Sequence, residues 1–176
     1  MMKNTKIFTL LAAGLALSLT ASAANTTVKL SGVHLCCNSC VKGVEKAIAT
    51  VKGVTAVVDK DGQAVALTAP DKAVVQQGID AIVEAGYFGA SDNPSLKAKA
   101  APGGKEGKVS SLNVEGVHLC CAKCVKAVNE AVGKVKGVKG TNAEKNAKSF
   151  EVTGEFQAKD IFAALQKAGL SGKAGK

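Results

Sequence analysis

Six cysteines and two histidines are the residues of this chain that could do chemistry, and all of them fall in two copies of one motif. "GVHLCCNSCVKGVEKAIATVKGV" spans residues 32–54, and "GVHLCCAKCVKAVNEAVGKVKGV" spans residues 116–138. Of these 23 positions, 15 are identical. The thiols belong to Cys36, Cys37, Cys40, Cys120, Cys121 and Cys124. Thiols so close in sequence can converge on one soft metal ion, because soft ions such as Cu(I) choose sulfur ligands.

The position of each cluster favours the thiolate form that binds metal. Apolar residues recur at spacings of three and four over residues 41–51, which predicts one face of a helix, with Asn38 or Ser39 as its cap. The C-x-x-C pair therefore lies where the helix begins, and backbone N–H groups at a helix N-terminus favour anions and lower thiol pKa values. The same pattern recurs in the second copy. The first predicted metal ligands are Cys37, Cys40, Cys121 and Cys124.

The extra cysteine and the histidine of each motif leave the ligand set open. Cys36 and Cys120 would raise each site to three sulfurs, which suits trigonal Cu(I). His34 and His118 would complete a Cys₃His set, which suits tetrahedral Zn(II). Adjacent side chains in an extended segment point to opposite sides, so joint binding by Cys36 and Cys37 requires a turn. A loop histidine bonded only to backbone is the alternative for His34.

The elements that must position these thiols follow from the apolar periodicity. Alternating apolar residues predict strands, and spacings of three and four predict helices. The predicted elements of the first copy are strand 28–30, helix 41–51, strand 54–58, strand 65–67, helix 75–83 and a short strand near 87–91. This β-α-β-β-α-β order is the split βαβ or ferredoxin-like plan. We therefore predict an α+β protein with two ferredoxin-like domains joined by a flexible linker.

The boundaries follow from composition. We predict a first domain at 25–92, a linker at 93–108 and a second domain at 109–176. The linker, "NPSLKAKAAPGGKEGK", holds too little apolar surface to order itself. In the second domain "KGTNAEKNAK", from Lys139, predicts a poor strand, and the closing "LSGKAGK" is expected to be too short and polar to complete the sheet.

The pattern of residues 1–23 predicts a signal peptide. Lys3 and Lys6 precede an uncharged apolar run, 7–19, which Ala21-Ser22-Ala23 follows as a cleavage pattern. The run is shorter than the roughly 20 residues of a membrane span, and no later stretch comes close. We expect an exported protein, periplasmic or secreted, without a membrane span after removal of the signal. A disulfide framework is not expected, because bridges within one cluster would close only short loops.

Composition narrows the function further. The net charge is +9, but the lysines are scattered, and the chain has no Trp and one Tyr, so we expect no nucleic-acid partner. No nucleophile elbow or phosphate loop is present, which favours a binding protein over an enzyme. The alternative is a thiol–disulfide oxidoreductase, because C-x-x-C at a helix start is also a redox arrangement.

The motifs resemble the heavy-metal-associated domain of copper chaperones, metal ATPase tails and the periplasmic mercury-binding protein. The resemblance rests on a glycine, the C-x-x-C pair, the following helix and a Gly-Val pair, which fall at Gly32, Cys37–Cys40 and Gly53–Val54 in the first copy. It implies a soft metal ion, Cu(I) first and Hg(II) or Zn(II) as others. It also implies a metal-transporting membrane protein or another metal-binding domain as partner.

This chain departs from the family pattern between Gly32 and Cys37. The segment 33–36 is two residues longer than in the family and adds a cysteine, and Val33 would take the core place of the family's methionine. We call the cysteine-bearing segment before the first helix, 33–37 in the first copy, the metal loop. The resemblance places Tyr87 in the loop beside the metal loop, and the second copy has Leu170 at that place. Two linked copies imply either two ions per chain or one ion bridged between the clusters.

Overall fold

The computed structural model describes residues 24–99 and 107–175. The predicted signal peptide, 1–23, lies outside the described residues, as does the stretch 100–106 of the predicted linker. The first unit consists of β1 (Thr26–Ser31), α1 (Asn38–Ile48), β2 (Thr55–Asp59), β3 (Ala64–Ala69), α2 (Lys72–Glu84) and β4 (Ala90–Ser91). The second unit consists of β5 (Lys108–Glu115), α3 (Ala122–Gly133), β6 (Val138–Thr141), β7 (Ser149–Gln157), α4 (Ala158–Lys167) and β8 (Lys173–Ala174).

Each unit is one antiparallel sheet whose inner face is covered by two helices. The strand orders are β2-β3-β1-β4 and β6-β7-β5-β8. In the central strand β1, Val28 and Leu30 are fully buried, whereas Thr27 and Lys29 alternate with them on the other face. This order confirms the ferredoxin-like prediction for both units. Within residues 24–99 and 107–175, no helix has the length and apolar character needed to cross a membrane.

The second unit is more complete than its sequence predicts. The weak stretch after Val138 does form β6, which pairs with β7. The closing stretch, expected to be too short, forms β8, whose Lys173 and Ala174 pair with Glu115 and Val114 of β5. Antiparallel pairing satisfies backbone N–H and C=O groups whatever the side chains are, so a polar segment can close a sheet once its neighbour is in place.

The linker prediction holds less well at its start. Leu96, the large apolar residue of the segment, is only 5% exposed. The side-chain amide of Gln76 in α2 donates to the carbonyl oxygen of Lys97 at 3.0 Å. Residues 94–97 therefore lie along α2, and β5 already begins at Lys108.

The two units meet along a seam made by the loops that precede β4 and β8. Tyr87 and Leu170 form an antiparallel bridge across it. The N–H groups of Phe88 and His34 both donate to the carbonyl oxygen of Gly169, at 3.0 and 3.1 Å. The seam therefore joins the loop after α4 both to the loop after α2 and to the metal loop of the first unit.

Two glycines allow the backbones to approach this closely. Gly86 and Gly169 have φ values of +90° and +76°, which side chains rarely tolerate. A Cβ on Gly86 would lie 2.4 Å from the backbone nitrogen of His118, and one on Gly169 would lie 2.3 Å from the carbonyl oxygen of Gly32. Any larger residue at either position would push the two units apart.

Candidate metal centre

All six thiols converge at this seam. Neighbouring sulfur atoms lie 3.5 to 3.9 Å apart, well beyond the roughly 2.05 Å of a disulfide bond. All six are free. We call this group the thiol cluster, and its members are Cys36, Cys37, Cys40, Cys120, Cys121 and Cys124.

The helix starts place four of these sulfurs. Cys37 and Cys121 are the N-cap residues of α1 and α3, both with extended backbone and without a capping hydrogen bond from the side chain. The prediction that Asn38 or Ser39 caps α1 was therefore wrong. Cys40 and Cys124, one turn further on, are fully buried. Both helix N-termini thus point at the same group of sulfurs.

The loops before the helices place the other two sulfurs. Val33 and Leu35 are buried in the core of the first unit, at 0% and 2% exposure. Because side chains alternate along an extended segment, this leaves His34 and Cys36 directed at the seam. Cys36 lies 3.5 Å from Cys121 and 3.5 Å from Cys124, both in the other unit.

The second unit makes the equivalent contacts to the first. Cys120 lies 3.8 Å from Cys37 and 3.6 Å from Cys40. Cys40 and Cys124 are 3.9 Å apart across the seam. Cys36 and Cys120, the first cysteine of each motif, therefore reach the C-x-x-C pair of the other copy as well as Cys40 and Cys124 of their own.

The thiol cluster has the shape of an octahedron. Twelve of its fifteen sulfur pairs lie within 4.8 Å of each other. The remaining pairs share no member and take opposite corners. They are Cys36 with Cys120, Cys37 with Cys124, and Cys40 with Cys121.

Proton sharing separates the pKa values of these thiols. The thiol of Cys124 donates to the sulfur of Cys40, which lowers the pKa of Cys40 and raises that of Cys124. Burial raises the pKa of Cys36 to about 12. Burial raises the pKa of Cys121, but the N–H group of Cys124, the thiol of Cys36 and the N–H group of Lys123 together outweigh it and bring this pKa to about 6. The metal-free cluster therefore combines thiolates with neutral thiols.

Both histidines flank the thiol cluster. An imidazole nitrogen of His34 lies within 4.8 Å of the sulfurs of Cys36 and Cys124. Burial lowers the pKa of His34, which keeps its ring neutral. The Nε2 atoms of His34 and His118 are buried and have no hydrogen-bond partner among the described residues. Such orphaned nitrogens are rare in proteins, and here they lie beside sulfur.

Tyr87 links the seam to the cluster. Its ring is fully buried and stacks on His118 with centroids 4.5 Å apart. Its hydroxyl donates to the carbonyl oxygen of Cys40 at 3.0 Å. The sequence placed Tyr87 beside the metal loop of its own unit, and the structure adds the contact with the histidine of the other unit.

The comparisons with known proteins point to metal-handling proteins. No family model matches the sequence. Copper-transporting ATPase 2 of Homo sapiens is 30% identical over 125 residues, which is 65% of this chain. The chain spans only 8% of the length of that curated relative.

Solved structures give partial similarities. Oxidized MerP from Ralstonia metallidurans CH34 is 18% identical and covers 40% of this chain and 100% of its own, with a TM-score of 0.36. The N-terminal soluble domains of Bacillus subtilis CopA are 17% identical and cover 87% of this chain and 95% of their own, with a TM-score of 0.30.

Two βαββαβ units each carry a C-x-x-C pair at the start of the first helix. These are the features that the sequence motifs share with heavy-metal-associated domains, and the chain is similar in sequence to a copper-transporting ATPase.

Proposed function

We propose that this chain is an exported binder or carrier of a soft metal ion, with Cu(I) as the first candidate and Hg(II) or Zn(II) as others. The observation that supports this most is the convergence of six free thiols within 3.5 to 3.9 Å of their neighbours. Two buried imidazole nitrogens without partners among the described residues complete a donor set of sulfur and nitrogen. Soft ions choose such donors, and hard ions such as Mg²⁺ and Ca²⁺ do not.

The accessibility of the cluster supports transfer of the ion. Cys37 and Cys121 are half-buried, whereas Cys40 and Cys124 are sealed below them. A thiol of a partner could therefore attack an ion at Cys37 or Cys121 without unfolding of either unit. The proposed partner is a metal-transporting membrane protein or another metal-binding domain. The resemblance to a copper-transporting ATPase supports this choice of partner, and the composition of residues 1–23 supports export.

A thiol–disulfide oxidoreductase is the alternative. The two sulfurs of each C-x-x-C pair lie 3.8 Å apart, and Cys121 has a pKa of about 6. A thiol with a lowered pKa at a helix start is the arrangement of redox enzymes. A carrier needs no catalytic turnover, so reduction of disulfide substrates by the metal-free chain separates the two functions.

The experiment is a competition titration on the full chain, purified anaerobically with reductant. Cu(I), Zn(II) and Hg(II) are offered in turn against a chelator of known affinity. We expect uptake of at least one ion, with loss of affinity in the Cys40→Ser/Cys124→Ser double variant. Ser39→Ala, an exposed change in the same helical turn, should bind as wild type does. Absence of uptake for all three ions, together with reduction of insulin by the metal-free chain, would replace the proposal with the redox alternative.

A further inference from the structure

We propose that the six thiols act as one polynuclear Cu(I)–thiolate core that holds four ions per chain, in place of one ion at each C-x-x-C pair. The inference rests on the proposed function and specifies how the ion is held. It follows from the octahedral shape of the thiol cluster and from the sharing of sulfurs between the two units.

The centre of the octahedron does not suit a soft ion. Nine of the twelve edges are 3.5 to 3.9 Å long and the other three are at most 4.8 Å, so the centre lies about 2.6 Å or more from the sulfurs, whereas a metal–thiolate bond is about 2.3 Å. The centre of a triangular face lies about 2.1 Å from three sulfurs, and an expansion of the edges to about 4.0 Å gives the normal bond length. Three sulfurs in a plane around the ion is a coordination that Cu(I) accepts, so the faces are the sites.

Neighbouring faces cannot both be filled. Their centres would lie about 1.8 Å apart for an edge of 3.9 Å, shorter than a single metal–sulfur bond. Alternate faces have centres about 2.6 Å apart and share only corners. An octahedron has four alternate faces, so four ions each bind three sulfurs, and each sulfur bridges two ions.

Such a set of faces can be read from the thiol positions, since all distances within each face are at most 4.8 Å. Only one face of the set is built from a single unit, so a separated unit could not assemble the core. The faces are Cys36–Cys37–Cys121, Cys37–Cys40–Cys120, Cys120–Cys121–Cys124 and Cys36–Cys40–Cys124.

Charge balances without any change of oxidation state. The thiols that are still neutral release their protons as the ions enter, and six thiolates with four Cu(I) ions make a core with a charge of −2. The N-termini of α1 and α3 both face this charge with their partial positive ends. The buried Nε2 atoms of His34 and His118 can carry N–H donors to bridging sulfurs, which retain lone pairs. The surroundings of the cluster are therefore suited to an anionic core.

The test is native mass spectrometry of the reduced, full chain with Cu(I) added stepwise as its acetonitrile complex. We expect a cooperative rise of a four-ion species on the monomer, with one- and two-ion species scarce throughout. X-ray absorption of the loaded chain should show trigonal Cu–S coordination and a Cu–Cu distance of about 2.7 Å, which is two thirds of the roughly 4.0 Å edge that a bond of about 2.3 Å requires.

A double variant removes one opposite pair of corners while it leaves both C-x-x-C pairs intact. Cys36→Ser/Cys120→Ser should lose the four-ion species and hold at most two ions, and Ser39→Ala should load as wild type does. Two ions per wild-type chain without a Cu–Cu contact, or four ions shared by a dimer, would overturn the polynuclear core and leave soft-metal binding standing. Absence of Cu(I) uptake alone would likewise overturn the core, and absence of uptake of Cu(I), Zn(II) and Hg(II) alike would refute the proposed function itself.

Discussion

The seam glycine Gly169 offers the sharpest test of whether the two units make one site. In Gly169→Ala the new Cβ would lie 2.3 Å from the carbonyl oxygen of Gly32 and 2.5 Å from the backbone nitrogen of His34. Both atoms belong to backbone of the other unit, so no side-chain rotation can relieve the contact. The units must separate by about 1 Å at this point to restore van der Waals distance.

The energetic effect can be estimated from the same contacts. An alanine at φ +76° costs about 1–2 kcal/mol in the left-handed region. The hydrogen bonds that the N–H groups of His34 and Phe88 donate to Gly169 are worth about 1 kcal/mol each. We therefore expect a loss of about 3–4 kcal/mol. Because 1.4 kcal/mol is a factor of ten, assembly of a site shared between the units should weaken more than about a hundredfold.

The assays are urea unfolding of the metal-free, reduced chain and Cu(I) loading followed by mass spectrometry. Gly133→Ala is the matched control, since a Cβ at Gly133 in α3 meets nothing within 4 Å and alanine is a better helix former by up to about 1 kcal/mol. The control should keep or gain stability and load normally. A Gly169→Ala chain that unfolds and loads as wild type does would show that the seam does not form in solution, and the reasoning from shared sulfurs would fail with it.

The remaining predictions concern single side chains around the cluster. In the metal-free chain at pH 7, iodoacetamide should modify Cys121 before Cys36, because their pKa values are about 6 and about 12. The rate at Cys121 should fall as pH drops through 6, and its advantage over Cys36 should fade only as pH rises towards 12; peptide mapping that shows equal rates at pH 7 would contradict it. Tyr87→Phe removes the buried hydroxyl that donates to Cys40 and should lower the unfolding free energy by about 1–2 kcal/mol without changing the number of bound ions, as checked by urea midpoints and ion counts. His118→Gln should speed transfer of Cu(I) to a chelator at unchanged stoichiometry, since it removes a flanking donor; a lower ion count would instead make His118 a ligand.

Much of the fold was predictable because its signals are local. The apolar spacing over residues 41–51 predicts α1, and the β-α-β-β-α-β order of the elements predicts the ferredoxin-like sheet. The sequence predicted β6 only as a poor strand and did not predict β8, because pairing with a neighbour forms these strands and their own side chains carry little strand preference. Cys37 was missed as the N-cap of α1 because Asn38 and Ser39 are the commoner capping residues.

The candidate site was predictable as a list of residues and not as an arrangement. Spacing identified every sulfur and both imidazoles, since these are short motifs. Cys36 contacts sulfurs of the opposite copy because the two backbones approach each other at Gly86 and Gly169. These glycines lie far from the cysteines in sequence and contribute no side chain. A contact between two backbones at a glycine produces no periodic pattern of apolar residues in the sequence. The sequence therefore left open whether the clusters bind two separate ions or share one site.

Exchange of the two units affects how ions could fill the faces of the octahedron of sulfurs. Exchange of the units swaps Cys36 with Cys120, Cys37 with Cys121, and Cys40 with Cys124, and this operation turns each set of alternate faces into the other set. No filled set of alternate faces can therefore keep the twofold relation between the copies, and two isomers of the loaded chain, related by exchange of the units, compete. Only the differences between the copies, such as Lys123 in place of Ser39, can favour one of these isomers over the other.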